Sequence, residues 1–338
     1  MFNSQLLSKY RSCLMGASAI LIILCHAPAS IVLPKYISSI LTRGGWGVDV
    51  FLYLSGLGLY FSLSKGCLNS NFSLKTWYSH RFKKLIIPYL LSYAPLCIIR
   101  GIIKNESIFS IIGDISTISF WTHHSGPWFV ALIVPLYLLA PVLFSIFDKI
   151  TSNRNKTLFL IIASFACLFF SAIDFEEADY RGFLYNVQFA VSRIPAFIFG
   201  MYSGSYVSKA YMVKFPVIWS LLFIGVSILL KYFVPNLCVS SLMEVPLMVL
   251  LCYIFSKECH TINKICGFMG KISLESYLFN GLLPFFIVNT SLIIGGVNIF
   301  YANYLPYFIV VLLGTILSYL VHKITLRLIP SSEFANSK

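Results

Sequence analysis

The chain has 338 residues, of which 58% are hydrophobic and only 11% charged, and its mean hydropathy is +0.83. Soluble domains carry about 25% charged residues, so this composition excludes a soluble globular protein and points to an all-α, polytopic helical membrane protein. The net charge of +13 raises the question of a nucleic-acid partner, which the placement of the charges along the chain answers.

Apolar windows bounded by charged or turn residues fall at 12–32, 46–64, 85–103, 127–147, 157–173, 186–207, 215–233, 237–256, 273–294 and 304–326, which predicts about ten transmembrane helices in a single bundle. The first window follows Lys9 and Arg11 and ends in Ala27-Pro28-Ala29, the outline of a signal peptide. The chain then returns repeatedly to the membrane, so this segment reads as an uncleaved first span. The fifth window is short. The eighth and ninth contain Pro246 and Pro284, which neighbouring helices accommodate.

With the N-terminus placed in the cytoplasm, eighteen of the 25 Lys and Arg lie between spans on that side and five on the other, and Arg100 and Arg193 lie within spans. That bias predicts both termini cytoplasmic. The basic surplus then sets topology, and no nucleic acid is needed. The acidic run DFEEAD at 174–179 faces outward. Residues 1–338 read as one membrane domain, with a core at 8–326 and a cytoplasmic tail at 327–338. The nine cysteines are scattered, mostly in apolar runs. The one local cluster, CHTINKIC at 259–266, lacks zinc-site spacing, so no metal site is expected.

Ionisable residues inside spans are costly and are functional candidates for that reason. Here they are His26, Asp49, Arg100, Arg193, Glu244, Glu275 and His322. His26 lies about fourteen residues into the first helix, roughly 20 Å across a ~30 Å core, in the outer half. Asp49 starts the second helix from outside. A carboxylate beside an imidazole fixes its tautomer and raises its basicity, and such a pair removes a proton from a hydroxyl. The plainer alternatives are a His26 that bonds its own backbone and packs helices, and an Asp49 that caps a helix. Arg193 and Glu244 enter the membrane to equal depth, which suggests an ion pair, structural or substrate-binding. Arg100 is placed to snorkel from a helix end. His322 lies near the inner face, and Glu275 fits helix capping.

On the cytoplasmic side, SHRFKKLIIPY at 79–89 sets Arg81, Lys83 and Lys84 at a helix start. Such a cluster holds a phosphate-bearing ligand or meets anionic lipid headgroups. Gly56 and Gly58 lie mid-helix beside Ser55; small residues there allow close helix packing or the passage of a substrate chain. At the outer mouth, WTHHSGPW gathers His123 and His124 with Trp121 and Trp128, the tryptophans suited to interfacial anchoring.

Six segments stand in a telling order: the His-bearing first span, GVDVFLYLSGLGLYF, RFKKLIIPY, GPWFVALIVPLYLLAP, RIPAFIFG and GKISLESYLF. Together they resemble the acyltransferase family 3 membrane proteins, over essentially residues 8–326. The resemblance implies transfer of an acetyl or other acyl group from cytoplasmic acyl-CoA to a hydroxyl of an extracytoplasmic glycan or lipid-linked sugar. It implies an essential first-span histidine, matching His26, and a basic R-x-x-R donor motif, which here reads Arg81-x-x-Lys84. The resemblance and the polar residues together give an expected site of His26 and Asp49 for catalysis, Arg81, Lys83, Lys84, Ser55 and Gly56 for the donor, and His124, Trp128, Arg193 and Glu244 for the acceptor. It implies no tightly bound cofactor, membrane lipids as surroundings, and a multi-pass protein of the bacterial cytoplasmic membrane. Two positions depart from the family pattern. Met15 stands where an arginine often lies eleven residues before the histidine, with Arg11 one turn earlier on about the same helix face. Asn280 stands where relatives often show a histidine. The rival readings are a flippase for a lipid-linked sugar and an inactive relative.

Overall fold

In hydrocarbon every backbone N–H and C=O must be satisfied within its own segment, which leaves the helix as the form available to apolar runs of this length. The computed structural model describes residues 1–27, 39, 41–68, 72–173, 182–234, 239–257, 259–289, 293–294, 297–298 and 304–329. The helices are α1 (Gln5–Lys9), α2 (Arg11–Cys25), α3 (Trp46–Cys67), α4 (Leu74–Lys104, 31 residues), α5 (Ile108–Ile115), α6 (Ile118–His123), α7 (Trp128–Lys149) and α8 (Asn153–Ala172), followed by α9 (Phe183–Val191), α10 (Ile194–Val207), α11 (Pro216–Phe233), α12 (Ser240–Ser256), α13 (His260–Lys271), α14 (Ser273–Asn289) and α15 (Tyr304–Leu328). Two short strands, β1 (Phe2–Asn3) and β2 (Met212–Val213), pair antiparallel and join the two segments that carry them.

Every expected span meets a helix, but among the described residues 6 are long and apolar enough to cross a membrane. They are α3 with the 3-10 turn Thr42–Gly45 before it, α4, α7, α8, α11 and most of α15. Helices α2 and α12 are apolar but shorter. The window at 186–207 is not one helix: it breaks at Ser192 and Arg193 into α9 and α10. Pro195 is the cause, since it has no N–H to give the preceding turn and sits comfortably only in the first turn of a new helix.

Besides the short α1, three helices were not expected. The stretch between α4 and α7 holds α5 and α6. Helix α5 exposes Ile108, Phe109 and Ile112, as a helix lying against lipid does. Arg100 ties α5 to the end of α4, bonding Glu106 at 2.9 Å and Asp114; it is paired rather than snorkelling. The third, α13, packs along α2.

Helix α3 is the centre of the bundle, buried against α2, α7, α10 and α12. Its contact with α10 is backbone to backbone: a Cβ on Gly56 would collide with the Phe197 carbonyl, and one on Gly200 with the Tyr53 carbonyl. Gly56 is therefore packed against α10, one of the two roles the sequence allows it. Asn280 does structural work: its Nδ2 donates to Ser276 Oγ and to Thr315 Oγ1, each at 3.1 Å, joining α14 to α15. His322 and Glu275 do the same at 3.0 Å, and Glu275 lies in the first turn of α14, the position expected of it. Helices α8 and α11 are peripheral, each only 6% buried along its apolar window.

Candidate functional site

One stripe of α2 organises the site. Arg11, Met15, Ala19, Ile22 and His26 follow one another at spacings of four and three, so they share a helix face. His26 ends the stripe just past the last turn, half-buried, with Nδ1 2.7 Å from the Ile22 carbonyl. A carbonyl only accepts, so Nδ1 carries the hydrogen and Nε2 holds the ring's lone pair. Ala19 and Ile22 are 1% and 0% exposed and belong to the main core with Phe51, Phe129 and Tyr277. Those three rings adjoin as a layer, tilted for Phe51 and Phe129 with centroids 5.9 Å apart and edge-to-face for Phe129 and Tyr277 at 5.6 Å.

Arg11 ends the stripe at the other side of this aromatic layer. Its Nη2 donates to the Leu54 carbonyl at 3.3 Å, and the guanidinium lies over Gly58, where a Cβ would come within 2.9 Å of it. Arg81 from α4 and Tyr137 from α7 are close enough to act on Arg11 electrostatically. The Arg81 guanidinium sits 6.0 Å from the centre of the Trp77 ring, whose Nε1–H donates to Ser62 Oγ at 2.8 Å. Among the described residues no carboxylate pairs with Arg11 or Arg81. Two neighbouring guanidiniums without a counter-charge, one of them over a glycine floor, are the makings of an anion site.

The other donor candidates divide. Ser55 shares a face of α3 with Gly58 and Ser62, and is half-buried there. Lys84 is half-buried one turn from Arg81, whereas Lys83 is exposed and lies about 200° around the helix from Arg81.

Asp49 does not orient His26. Helices α2 and α3 run antiparallel in contact, with Gly44 against the Leu21 carbonyl and Gly47 against the Ser18 carbonyl. That register sets Asp49 about ten residues below His26, roughly 15 Å along the axis. Asp49 instead accepts from Arg193 Nη1 at 2.6 Å, and the same nitrogen meets Ser240 Oγ. Arg193 caps α10, which lies backbone to backbone on α3, so the carboxylate of α3 is its partner rather than Glu244. Glu244 is wholly buried nearby, and among the described residues neither of its carboxyl oxygens is hydrogen-bonded.

The remaining acceptor candidates converge on Phe189, which the sequence reading did not single out. His124 ends α6 with a left-handed backbone, φ 53, and its Nδ1 donates to Asn186 Oδ1 at 2.5 Å. The amide nitrogen of Asn186 donates to the Trp121 carbonyl at 3.1 Å. The rings of His124 and Trp128 each stand 5.1 Å from Phe189. The Arg193 guanidinium completes the group, 5.2 Å from Phe189 and 5.5 Å from Trp128. His123 bonds only its neighbour Thr122 among the contacts described, at 2.7 Å. The signal for Asn186 was present in FLYNVQFAV, an amide inside an apolar run. Tyr137, also missed, carries no such signal within PLYLLAP.

The fold and these polar groups define a polytopic helical membrane protein with two neighbouring arginines at one end of a helix face and a histidine at the other. Acyltransferase family 3, described as an acyltransferase domain, matches residues 14–323, and the chain belongs to that family of membrane acyltransferases. The match takes in Met15 and His26 and begins three residues after Arg11. No curated protein and no solved structure matches the chain.

Proposed function

We propose that the protein transfers an acetyl group from acetyl-CoA to a hydroxyl of an extracytoplasmic glycan or lipid-linked sugar, in the bacterial cytoplasmic membrane. The observation that carries this reading is the pair Arg11 and Arg81, without a carboxylate partner among the described residues, on the helix face that ends in His26. Arg11 and Arg81, with Lys84 beside them, receive the phosphates of the donor from the cytoplasm. The acyl-bearing arm then runs along the α2 face beside Ser55 toward His26, about 22 Å from Arg11 at 1.5 Å per residue. The Phe51, Phe129 and Tyr277 rings must part to let it through.

At His26, Nε2 takes the proton of the acceptor hydroxyl as the oxygen attacks the thioester carbon. The C–S bond breaks, an ester C–O bond forms, and the proton passes to the CoA sulfur. The same nitrogen serves equally as an acyl relay, attacking the thioester first and giving the acyl group to the acceptor oxygen. The backbone bond from Nδ1 to the Ile22 carbonyl keeps Nε2 as the lone-pair nitrogen in either route. His124 and Trp128, gathered around Phe189, offer the acceptor a stacking and hydrogen-bonding surface, with Arg193 held behind them by Asp49 and Glu244 adjacent.

The test is acyl transfer in proteoliposomes given labelled acetyl-CoA on one face, comparing wild type with His26→Gln at equal folded amount. Loss of at least a hundredfold in CoA release, with acetyl-CoA binding retained, is expected for the variant. A wild type that neither binds nor cleaves acetyl-CoA overturns the donor assignment and returns the flippase to consideration. Equal rates in the two proteins leave the enzyme but reduce His26 to helix packing.

A further inference from the structure

A cavity of 530 Å³ lies between α3, α8, α10, α11 and α12, and none of Arg11, Arg81 or His26 lines it. Its size falls within the roughly 300–1,000 Å³ of small-molecule sites, yet its wall is almost wholly apolar. Three of the polar groups at the wall are engaged with one another: Thr157 Oγ1 meets the Tyr202 hydroxyl at 2.7 Å, and that hydroxyl bonds the Tyr206 hydroxyl at 3.1 Å. Sugars and CoA phosphates find no partner there.

The way in is from the bilayer. Thr157 and Leu160 of α8 and Trp219 and Phe223 of α11 form facing walls, and these two helices are the least buried of the candidate spans. Each packs on another neighbour, α8 on α10 and α11 on α12, not substantially on the other. The N-terminal segment covers one end. Strand β1 pairs with β2 there, Ser4 N–H donates to the Tyr211 carbonyl at 3.0 Å, and Ser4 Oγ–H donates to the Tyr206 carbonyl at 3.2 Å. That covered end is basic. Lys156 adjoins Thr157, and Lys209 and Lys214 flank Tyr211 and Val213. Among the described residues no carboxylate pairs with any of these lysines. Tyr211 and Trp219 are exposed at the same level, as aromatic side chains at a headgroup boundary are.

We propose that this cavity holds one acyl chain of an anionic phospholipid from the adjoining leaflet, with the headgroup phosphate against Lys156, Lys209 and Lys214. Apolar walls and a bilayer-facing gap select a hydrocarbon chain, and the cations at the rim select a negative headgroup. The site is separate from the acyl-transfer route, so its test reads lipid rather than activity.

Full-length protein is reconstituted in nanodiscs of equal parts phosphatidylglycerol and phosphatidylcholine, released into mild detergent, and weighed by native mass spectrometry. Wild type is expected to retain phosphatidylglycerol in clear excess. Val249→Trp, which fills the cavity, is expected to lose the retained lipid. Replacing Lys156, Lys209 and Lys214 by Gln, surface changes that leave the packing intact, is expected to keep a lipid but lower the preference for phosphatidylglycerol about fivefold per charge. Protein that emerges free of lipid, a folded Val249→Trp protein that keeps as much as wild type, or equal retention of the two phospholipids by wild type overturns the proposal. An undiminished preference in the lysine variant overturns it as well, even where Val249→Trp does not fold.

Discussion

Two arginine-bearing regions of this bundle use the same side chain in opposite ways. Arg193 is locked: Asp49 accepts from it at 2.6 Å, and Trp128 and Phe189 face its guanidinium. Arg11 and Arg81 stand near one another, and among the described residues neither has a carboxylate partner. A cation inside a bundle is costly, and the bundle meets that cost at Arg193 with its own carboxylate. At Arg11 and Arg81 it leaves a positive field that a ligand can satisfy. The paired arginine holds helices together, and the proposed function gives the other two an anion to meet.

The largest effect expected from this contrast is at Asp49. Asp49→Ala leaves the Arg193 guanidinium buried without its partner and should cost about 3–5 kcal/mol, read as a large fall in melting temperature and in yield of folded protein in detergent. Arg81→Gln should act in the other sense on stability. Removing one of two neighbouring like charges leaves the melting temperature unchanged or raises it, while acetyl-CoA affinity, measured by titration calorimetry, falls about tenfold to a hundredfold through loss of charged hydrogen bonds. If Arg81→Gln unfolds the protein and Asp49→Ala does not, the contrast is reversed and the paired region is the site. The smallest effect sharpens the assignment of Arg11. Gly58→Ala sets a methyl group against its guanidinium and should weaken acetyl-CoA binding about fivefold, through a displacement costing on the order of 1 kcal/mol, with little change in melting temperature.

Much of the helical architecture was legible because hydropathy reports directly on what lies in hydrocarbon. The window at 127–147 and helix α7 differ by two residues at most at either end. Charge pairing was less legible. Equal depth suggested Arg193 with Glu244, but depth ranks candidates without saying which helices touch. The backbone contact of α3 with α10, made by Gly56 and Gly200, decides for Asp49. The same limit misplaced Asp49 beside His26: a short connection made α2 and α3 neighbours, but their register, set at Gly44 and Gly47, was not written in either segment alone. Helices α5 and α13 escaped because their apolar residues cover one face only and never form a continuous run. The Arg11 position was read correctly as sharing the face of Met15, since helical periodicity is local. Its meeting with Arg81 and Tyr137 joins three helices and needs the fold.

The length of α4 carries a consequence for the membrane in which the protein works. Its 31 residues extend about 46 Å, of which the apolar run at 85–103 takes about 28 Å, the thickness of a ~30 Å hydrocarbon core, so the polar turns at 74–84 protrude beyond it. Arg81 rides near its leading end, whereas Arg11 is fixed by α3 at the Leu54 carbonyl and Gly58. On the proposed reading a phosphate-bearing donor meets Arg81 without entering the hydrocarbon, and lipids of graded chain length should leave its affinity little changed.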